Sequence, residues 1–209
     1  EMALRTDPAA TRTIDRALRA AQQEAWARGV VGVHAMDDGP ALFHLERQRR
    51  DGQLGLRVVH AVQLRDLKAA QAVGLRSGFG DEWLRIGGVK IFADGALGSQ
   101  TAFMLEPYPG RADYCGVPVV AGDELCAAVR QAAQCGWAAW IHAIGDRAVQ
   151  EAIDAVIRTR RVPRPALPHR IEHAQCVRPA DIRRMARAGI VASVQPCHLL
   201  GDIPNADRH

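Results

Sequence analysis

Lysine is almost absent from this basic sequence. Its 209 residues include 27 Lys and Arg against 23 Asp and Glu, a formal net charge of +4, yet only Lys68 and Lys90 are lysines. Lys68 lies in the stretch LRDLKAAQ, where helical spacing places it on an exposed face. Lys90 lies inside the apolar run GGVKIFADG, and a buried ammonium group is costly unless it is paired or neutral.

Other absences argue against several classes of protein. Aromatic residues make up 5% of the chain and show no pattern of interleaving with Arg, so we expect no nucleic-acid partner. The five cysteines form no CxxC pair, which favours reduced thiols in a cytoplasmic protein over a disulfide or zinc-ribbon framework. No apolar run approaches the ~18 residues of a membrane span, so we expect no membrane association.

Short apolar runs alternate with amphipathic stretches along the chain. Strands are predicted at 30–35, 56–64, 84–95, 137–145, 169–175 and 190–196. Helices are predicted at 10–29, 40–52, 65–74, 122–136, 146–160 and 178–189, with a long loop at 96–121 and no further pattern in the tail to His209. Strands that alternate with helices predict an α/β fold with parallel strands and right-handed crossovers.

Polar residues at the ends of the predicted strands favour a (β/α)₈ TIM-type barrel over an open doubly wound sheet. These residues are His34, Lys90, His142, His173 and Gln195. Neither GxGxxG nor a phosphate-binding loop follows the first strand. A complete barrel usually has eight strands and ~250 residues, so six βα units predict a slice of a larger barrel. The unpaired edges of such a slice make a homo-oligomer possible.

Two histidines and one lysine suggest the chemistry of the site. His142 and His173 end neighbouring strands, and imidazoles on strands ~5 Å apart can share a metal ion. Lys90, one strand earlier, cannot bind a metal as an ammonium ion. Its amine can react with CO₂ to form a carbamate, or become a neutral nucleophile for a Schiff base. An ion pair with Asp94 or another carboxylate is a third explanation.

Five motifs in order resemble those of the amidohydrolase superfamily, in its branch of YtcJ-like metal-dependent hydrolases. They are GGVKIFADGALGSQTA, EPYPG, IHAIGDRAV, HRIEHAQ and SVQPCH, and the resemblance extends from about residue 10 to the end. It implies a (β/α)₈ barrel, usually with a small β-sandwich domain. It also implies hydrolysis of C–N bonds other than peptide bonds, in a small amide-type substrate, with one or two divalent metal ions.

The resemblance also implies roles for individual residues. Lys90 would be the carboxylated lysine that bridges metals on strand four, which requires CO₂, and His142 and His173 would be the ligands of strands five and six. These three residues are the predicted catalytic and metal-binding set. We expect zinc, which suits mixed nitrogen and oxygen ligands, with iron or manganese as the alternatives. The residues predicted to contact substrate from the neighbouring loops are Asp94, Ser99, Gln195 and His198.

The chain also departs from the family pattern. It contains no HxH pair, its last predicted strand matches strand seven, and it lacks the Asp of the final strand. We therefore interpret residues 1–209 as the central part of the barrel, strands two to seven, without the first strand, the final strand or the sandwich domain. Such a fragment is not expected to be active alone, and whether it retains bound metal stays open.

Two other interpretations remain open at this point. One is a Schiff-base lyase or aldolase in which Lys90 is the nucleophile. The other is an inactive fragment or binding subunit with an incomplete metal site. Strand alternation also predicts that Glu172 faces the helix layer, away from His173, in a buried pair with Arg170 or another arginine.

Overall fold

Helices and strands alternate along the part of the chain that the computed structural model describes, residues 7–206 with side chains to residue 203. The chain divides after Gly88 into two units, which are described in turn. None of the helices in the described range is both long enough and apolar enough to cross a membrane.

The first unit, up to Gly88, consists of helices and parallel strands. Its elements are α1 (Pro8–Ala27), β1 (Gly32–Ala35), α2 (Gly39–Arg50), β2 (Arg57–Gln63), a 3₁₀ turn (Leu64–Asp66), α3 (Leu67–Ala72) and the first half of β3 (Leu84–Phe92). The Asp7 side chain accepts a hydrogen bond from the Ala9 amide at 2.9 Å and caps α1, and Pro8 suits the first turn because it lacks an N–H. Strands β1 and β2 pair in parallel. A core of leucine and valine side chains packs beside them: Leu45, Leu54, Leu56 and Val58.

The second unit, from Val89 onward, contains the other half of β3 and three further parallel strands. Its elements are α4 (Gly122–Gln134), β4 (Ala139–Ala143), α5 (Asp146–Arg158), β5 (Arg170–His173), α6 (Pro179–Ala188), β6 (Val191–Ser193), a 3₁₀ turn (Pro196–His198) and α7 (Leu199–Ala206). The strands pair in the order β3, β4, β5, β6, each in parallel with the next. Their carboxyl ends therefore lie along one edge of the sheet.

Helix α5 shows how the sequence pattern builds this unit. Its buried side chains are Ala148, Val149, Ala152, Ile153, Ala155 and Val156. They recur at spacings of three and four residues, which places them on one face of a helix. That face packs against β4 and the neighbouring helices α4 and α6. The many alanines allow close approach, and the two Trp residues of the β4 region, Trp137 and Trp140, are almost fully buried.

The alternation predicted from the sequence is confirmed, with differences at the ends of elements. All six strands form, each of them shorter than predicted, and residues 93–121 form the long loop. The prediction that the tail has no further pattern is wrong, because α7 forms at Leu199–Ala206. Gly201 and Pro204 obscure the helical signal there. Residues 207–209 of that predicted tail lie outside the described residues.

Packing of α5 gives a direct test of the fold. Ile153 is fully buried, whereas Ile182 on α6 is 56% exposed. We expect Ile153→Ala to lower the free energy of unfolding by about 2–5 kcal/mol, because it leaves a cavity in the core. The same change at Ile182 should alter it by no more than about 0.5 kcal/mol. Urea unfolding followed by circular dichroism measures both, and equal effects would contradict this packing.

Candidate metal centre

The register of β3 and β4 places two of the three predicted ligands, Lys90 and His142, on one face of the sheet. Lys90 of β3 pairs with Trp140 of β4, and Phe92 pairs with His142. Side chains two residues apart on a strand, and side chains paired across parallel strands, point to the same face. Lys90 and His142 therefore share a face, with His142 about 7 Å closer to the carboxyl edge.

His173 reaches this face because the backbone leaves the regular strand conformation. Glu172 pairs with His142, so regular alternation would send the next side chain to the opposite face. The φ angle is +73° at His173 and +47° at Ala174, both in the left-handed region that these residues rarely adopt. The ring centroids of His142 and His173 lie 4.7 Å apart, with the rings at 70°. Such strained backbone conformations cluster at functional sites.

Hydrogen bonds assign different ring nitrogens of the two histidines as possible metal donors. Nε2 of His142 is 2.9 Å from the Gly95 carbonyl oxygen, so Nε2 carries the hydrogen and Nδ1 keeps its lone pair. Nδ1 of His173 is 2.6 Å from Oε1 of Gln195, whose amide nitrogen donates to the Ser193 carbonyl. Nδ1 of His173 is therefore the donor, and Nε2 keeps its lone pair. Burial lowers the pKa of both rings, which favours the neutral form that binds metals.

Lys90 is buried without a carboxylate partner. It is 4% exposed, and its Nζ lies 4.4 Å from the centre of the Phe92 ring. Within residues 7–206, Lys90 forms no ion pair, so the ion-pair explanation does not hold for the described structure. Burial lowers the pKa of Lys90 to about 8, and the Glu172 charge partly opposes this effect. This shift raises the fraction of the Lys90 amine that is neutral near pH 7.

A buried ion pair lies on the same face as the histidines. Two nitrogens of the Arg170 guanidinium each donate to the Glu172 carboxylate at 2.9 Å, so the predicted pairing is confirmed. The predicted direction of Glu172 is wrong. Its register with His142 places it on the face of Lys90, because His173, and not Glu172, departs from the regular alternation. This face of the sheet thus carries three buried charged side chains, those of Lys90, Arg170 and Glu172.

The Asp94 carboxylate holds the backbone around His142. Its Oδ1 accepts from the Ile144 amide at 3.0 Å, and its Oδ2 accepts from the amides of Gly145 at 2.8 Å and Phe103 at 2.9 Å. Oδ1 also lies 3.6 Å from Nε2 of His142. Burial raises the pKa of Asp94, and the three amide hydrogen bonds oppose that rise. The carboxylate is thus fully enclosed, and it stabilises the loop conformation around the histidine.

The other three residues predicted to contact substrate lie at or near the mouth of the site. The His198 ring stacks on that of His173 with centroids 5.7 Å apart and an interplanar angle of 17°. Gln195 and His198 line a cavity of about 620 Å³ next to His173, and His198 also lines a second one of about 540 Å³ that reaches His142. Ser99 lies outside both cavities, and its hydroxyl is 2.7 Å from that of Thr101.

Sequence reasoning missed several residues of the site. No sequence motif predicts the role of the Gly95 carbonyl, since a residue of any type can supply a backbone acceptor. Asp202 lines both cavities from α7 and bonds to Gln175. Recognition of α7 from its apolar residues, Leu199 and Ile203, could have placed Asp202 there.

Two imidazoles with lone pairs on different nitrogens fit one divalent metal ion as a partial ligand set. Zinc takes His nitrogen readily, and metal-binding His rings normally donate their other N–H to an acceptor, as both rings do here. In the described part of the chain, no three His, Cys, Asp or Glu side chains converge on one point. A complete set therefore needs Lys90 in a ligating form or donors beyond the described residues.

Sequence comparisons with known proteins identify the family of this chain. Residues 1–209 match the amidohydrolase family, and the chain belongs to that family. It is 30% identical over 203 residues to YtcJ of Bacillus subtilis (strain 168), which covers 94% of this chain and 37% of that protein. It is 40% identical over 129 residues to the protein LONG AFTER FAR-RED 3 of Arabidopsis thaliana, covering 58% of this chain and 21% of that one.

Two solved structures share the fold. Uncharacterized metal-dependent hydrolases from Pyrococcus furiosus and Pyrococcus horikoshii OT3 both align with a TM-score of 0.81, at 30% and 32% identity. The alignments cover 92% of this chain, but 40% and 38% of those chains. The predicted fold class is confirmed: α/β with six parallel strands, consistent with part of a (β/α)₈ barrel. The chain spans less than half the length of these relatives.

Asp94 provides a test of the loop structure around the centre. In Asp94→Asn, one acceptor oxygen becomes an NH₂ group that must face backbone N–H donors. We expect the free energy of unfolding to fall by about 1–3 kcal/mol, because a buried donor loses its partner. Asp113→Asn, at an exposed loop position, should change it by no more than about 0.5 kcal/mol. Urea unfolding compares the two, and a neutral Asp94→Asn would contradict the three hydrogen bonds.

Proposed function

We propose that this chain forms part of the catalytic barrel of a metal-dependent hydrolase that cleaves C–N bonds other than peptide bonds in small amide-type substrates. One observation carries the proposal: His142 and His173 lie with ring centroids 4.7 Å apart, each with one ring nitrogen held by an acceptor and the other keeping its lone pair. Membership of the amidohydrolase family supports the same reaction class.

The residues of the site have two proposed roles, metal binding and control of the histidine tautomers. His142 would hold a divalent metal ion, such as zinc, through Nδ1, and His173 through Nε2. When bound, such an ion lowers the pKa of water and polarises a substrate carbonyl. Gln195 and the Gly95 carbonyl keep the two rings in the required tautomers.

Lys90 would complete the ligand set after carboxylation. Its neutral amine nitrogen attacks the carbon of CO₂, and an N–C bond forms as one C=O π bond opens and its electron pair moves to oxygen. The nitrogen then loses one proton to solvent water, which leaves an anionic carbamate with two oxygen donors. The lowered pKa of Lys90 supplies the neutral amine that this step requires. The nearby Arg170 guanidinium would offset part of the new negative charge, although it already pairs with Glu172.

The residues that line the cavity beside His173 indicate the polarity and charge of the substrate. The wall of this cavity is mainly apolar, from Leu97, Met104, Pro107, Tyr108, Val194 and Leu199, and none of the described residues that line it is a Lys or Arg. Such a wall suits an apolar group next to the scissile bond. The carboxylates of Glu106 and Asp202 on the same wall disfavour an anionic substrate.

Metal content tests the proposal with a matched pair of variants at the two lysines. Lys90→Met keeps the side-chain length but cannot form a carbamate, whereas Lys68→Met removes the other lysine, on the exposed side of α3. For protein prepared without chelator and in bicarbonate, elemental analysis should find near-stoichiometric zinc, iron or manganese in the wild type and in Lys68→Met. Lys90→Met should lose most of it. Retention of the metal in Lys90→Met would contradict the role of Lys90.

A Schiff-base lyase is the second candidate, because the buried Lys90 amine with its lowered pKa also suits a nucleophile. Borohydride reduction in the presence of a small ketone distinguishes the two. The hydrolase proposal predicts no more adduct at Lys90 than at Lys68, measured by peptide mass spectrometry. A strong excess at Lys90, in a protein without metal, would favour the lyase.

A further inference from the structure

A second polar cavity lies at the opposite ends of the strands from the candidate metal centre. It has a volume of about 410 Å³, and its wall includes four arginines and a histidine: Arg160, Arg164, Arg184, Arg187 and His169. His169 directly precedes β5, whereas His173 ends it. Four residues of extended chain separate the two positions by about 13 Å. The cavity is therefore distinct from the metal centre.

His169 presents a fixed hydrogen-bond donor to this region. The Ala139 amide donates to Nδ1 of His169 at 3.0 Å, so in the neutral ring the hydrogen is on Nε2. Within residues 7–206, Nε2 has no hydrogen-bond partner. Burial and the Arg164 charge lower the pKa of His169, which keeps the ring neutral and the Ala139 hydrogen bond intact near pH 7.

The arginine charges on the wall are only partly neutralised. Arg184 is held by the carboxylates of Asp181, at 2.8 Å, and Asp154. Among the described residues, the Arg187 side chain donates to one acceptor, the backbone carbonyl of Arg183. The guanidinium groups of Arg160 and Arg164 form no ion pair with any described residue. Three positive charges therefore lack a carboxylate partner.

The carboxyl ends of two helices supply only part of the missing negative charge. Helices α5 and α6 both end beside the cavity, and each carboxyl terminus contributes about −0.5 of a charge. Arg164 lies against the end of α6, with Nη1 3.9 Å from the place where a Cβ of Gly189 would be. About one negative charge from the helices thus faces three unpaired guanidinium groups. The remaining positive potential favours an anion.

We propose that this cavity binds a small phosphate monoester at a site separate from the candidate metal centre. The planar guanidinium group matches phosphate oxygens in a bidentate geometry, and His169 adds a neutral donor. The wall also contains Val156, Val162 and Pro163, and the volume leaves room for an organic group beside the phosphate. A concave site of this kind suits a small ligand better than the extended backbone of a nucleic acid.

Calorimetric titration of the full chain with glycerol 3-phosphate tests this site. The ionic strength is kept constant, so that the screening of charges by salt is the same in every titration. Glycerol is the neutral control ligand, and inorganic phosphate shows whether the organic part contributes. Arg164→Gln should weaken glycerol 3-phosphate binding at least about tenfold, or about 1.4 kcal/mol. Arg16→Gln, which removes an exposed arginine of α1 in the first unit, should leave the Kd within about twofold. In the wild type, the His169 ring signals should shift on binding in NMR spectra.

Several results would overturn the proposal. They are equal weakening in Arg164→Gln and Arg16→Gln, no saturable binding of glycerol 3-phosphate at millimolar concentrations, and unchanged His169 signals. Tighter binding of inorganic phosphate than of glycerol 3-phosphate would overturn the phosphate-monoester assignment. Displacement of glycerol 3-phosphate by a DNA duplex would overturn the small-ligand assignment. Each outcome is independent of metal content and hydrolase activity.

Discussion

The parallel register of β3, β4 and β5 is the constraint on which the candidate centre depends. Lys90, Trp140 and Arg170 align across the three strands, and Phe92, His142 and Glu172 align two residues further along. Because alternate residues of a strand face the same way, both rows point to one face. A slip of one residue in any strand would move its functional side chains to the other face. The buried apolar residues between them specify this register.

One local departure from that register creates the metal site. Regular strand geometry at His173 would leave His142 with Glu172 as its only neighbour on β5. The left-handed backbone at His173 and Ala174 instead brings a second imidazole beside the first. Such conformations cost roughly 1–3 kcal/mol each, and surrounding contacts must hold them. The hydrogen bond from His173 to Gln195 is one such contact.

Buried charge is the other unusual feature of this face. Lys90, Arg170 and Glu172 are all less than 10% exposed, and desolvation of such groups is expensive. The pairing of Arg170 with Glu172 satisfies two of them, so Lys90 is left as the group whose pKa falls. A chain that uses arginine at 25 of its 27 basic positions keeps lysine at the one buried position where a neutral amine would be useful. An arginine there would remain charged at any accessible pH.

The sequence predicts the order of elements from local periodicity, and it places His142 and His173 at the ends of neighbouring strands. Their meeting on one face depends in addition on the left-handed backbone at His173 and Ala174, which the periodicity does not predict. The sequence does not predict the direction of Glu172, since alternation counted back from His173 fails when His173 itself has a positive φ angle. Nor does it predict that the Asp94 carboxylate is enclosed by three backbone amides, because two of them come from about 50 residues further along the chain. Helix α7 was missed because Gly201 and Pro204 are poor helix formers.

The tautomers of the two histidines test the central claim most directly. Long-range ¹⁵N–¹H correlation spectra of the metal-free chain should show His142 with its hydrogen on Nε2 and His173 with its hydrogen on Nδ1. Addition of Zn²⁺ in bicarbonate should then shift Nδ1 of His142 and Nε2 of His173. Hydrogens on the same nitrogen in both rings, or no shift of either ring with zinc, would contradict the proposed centre.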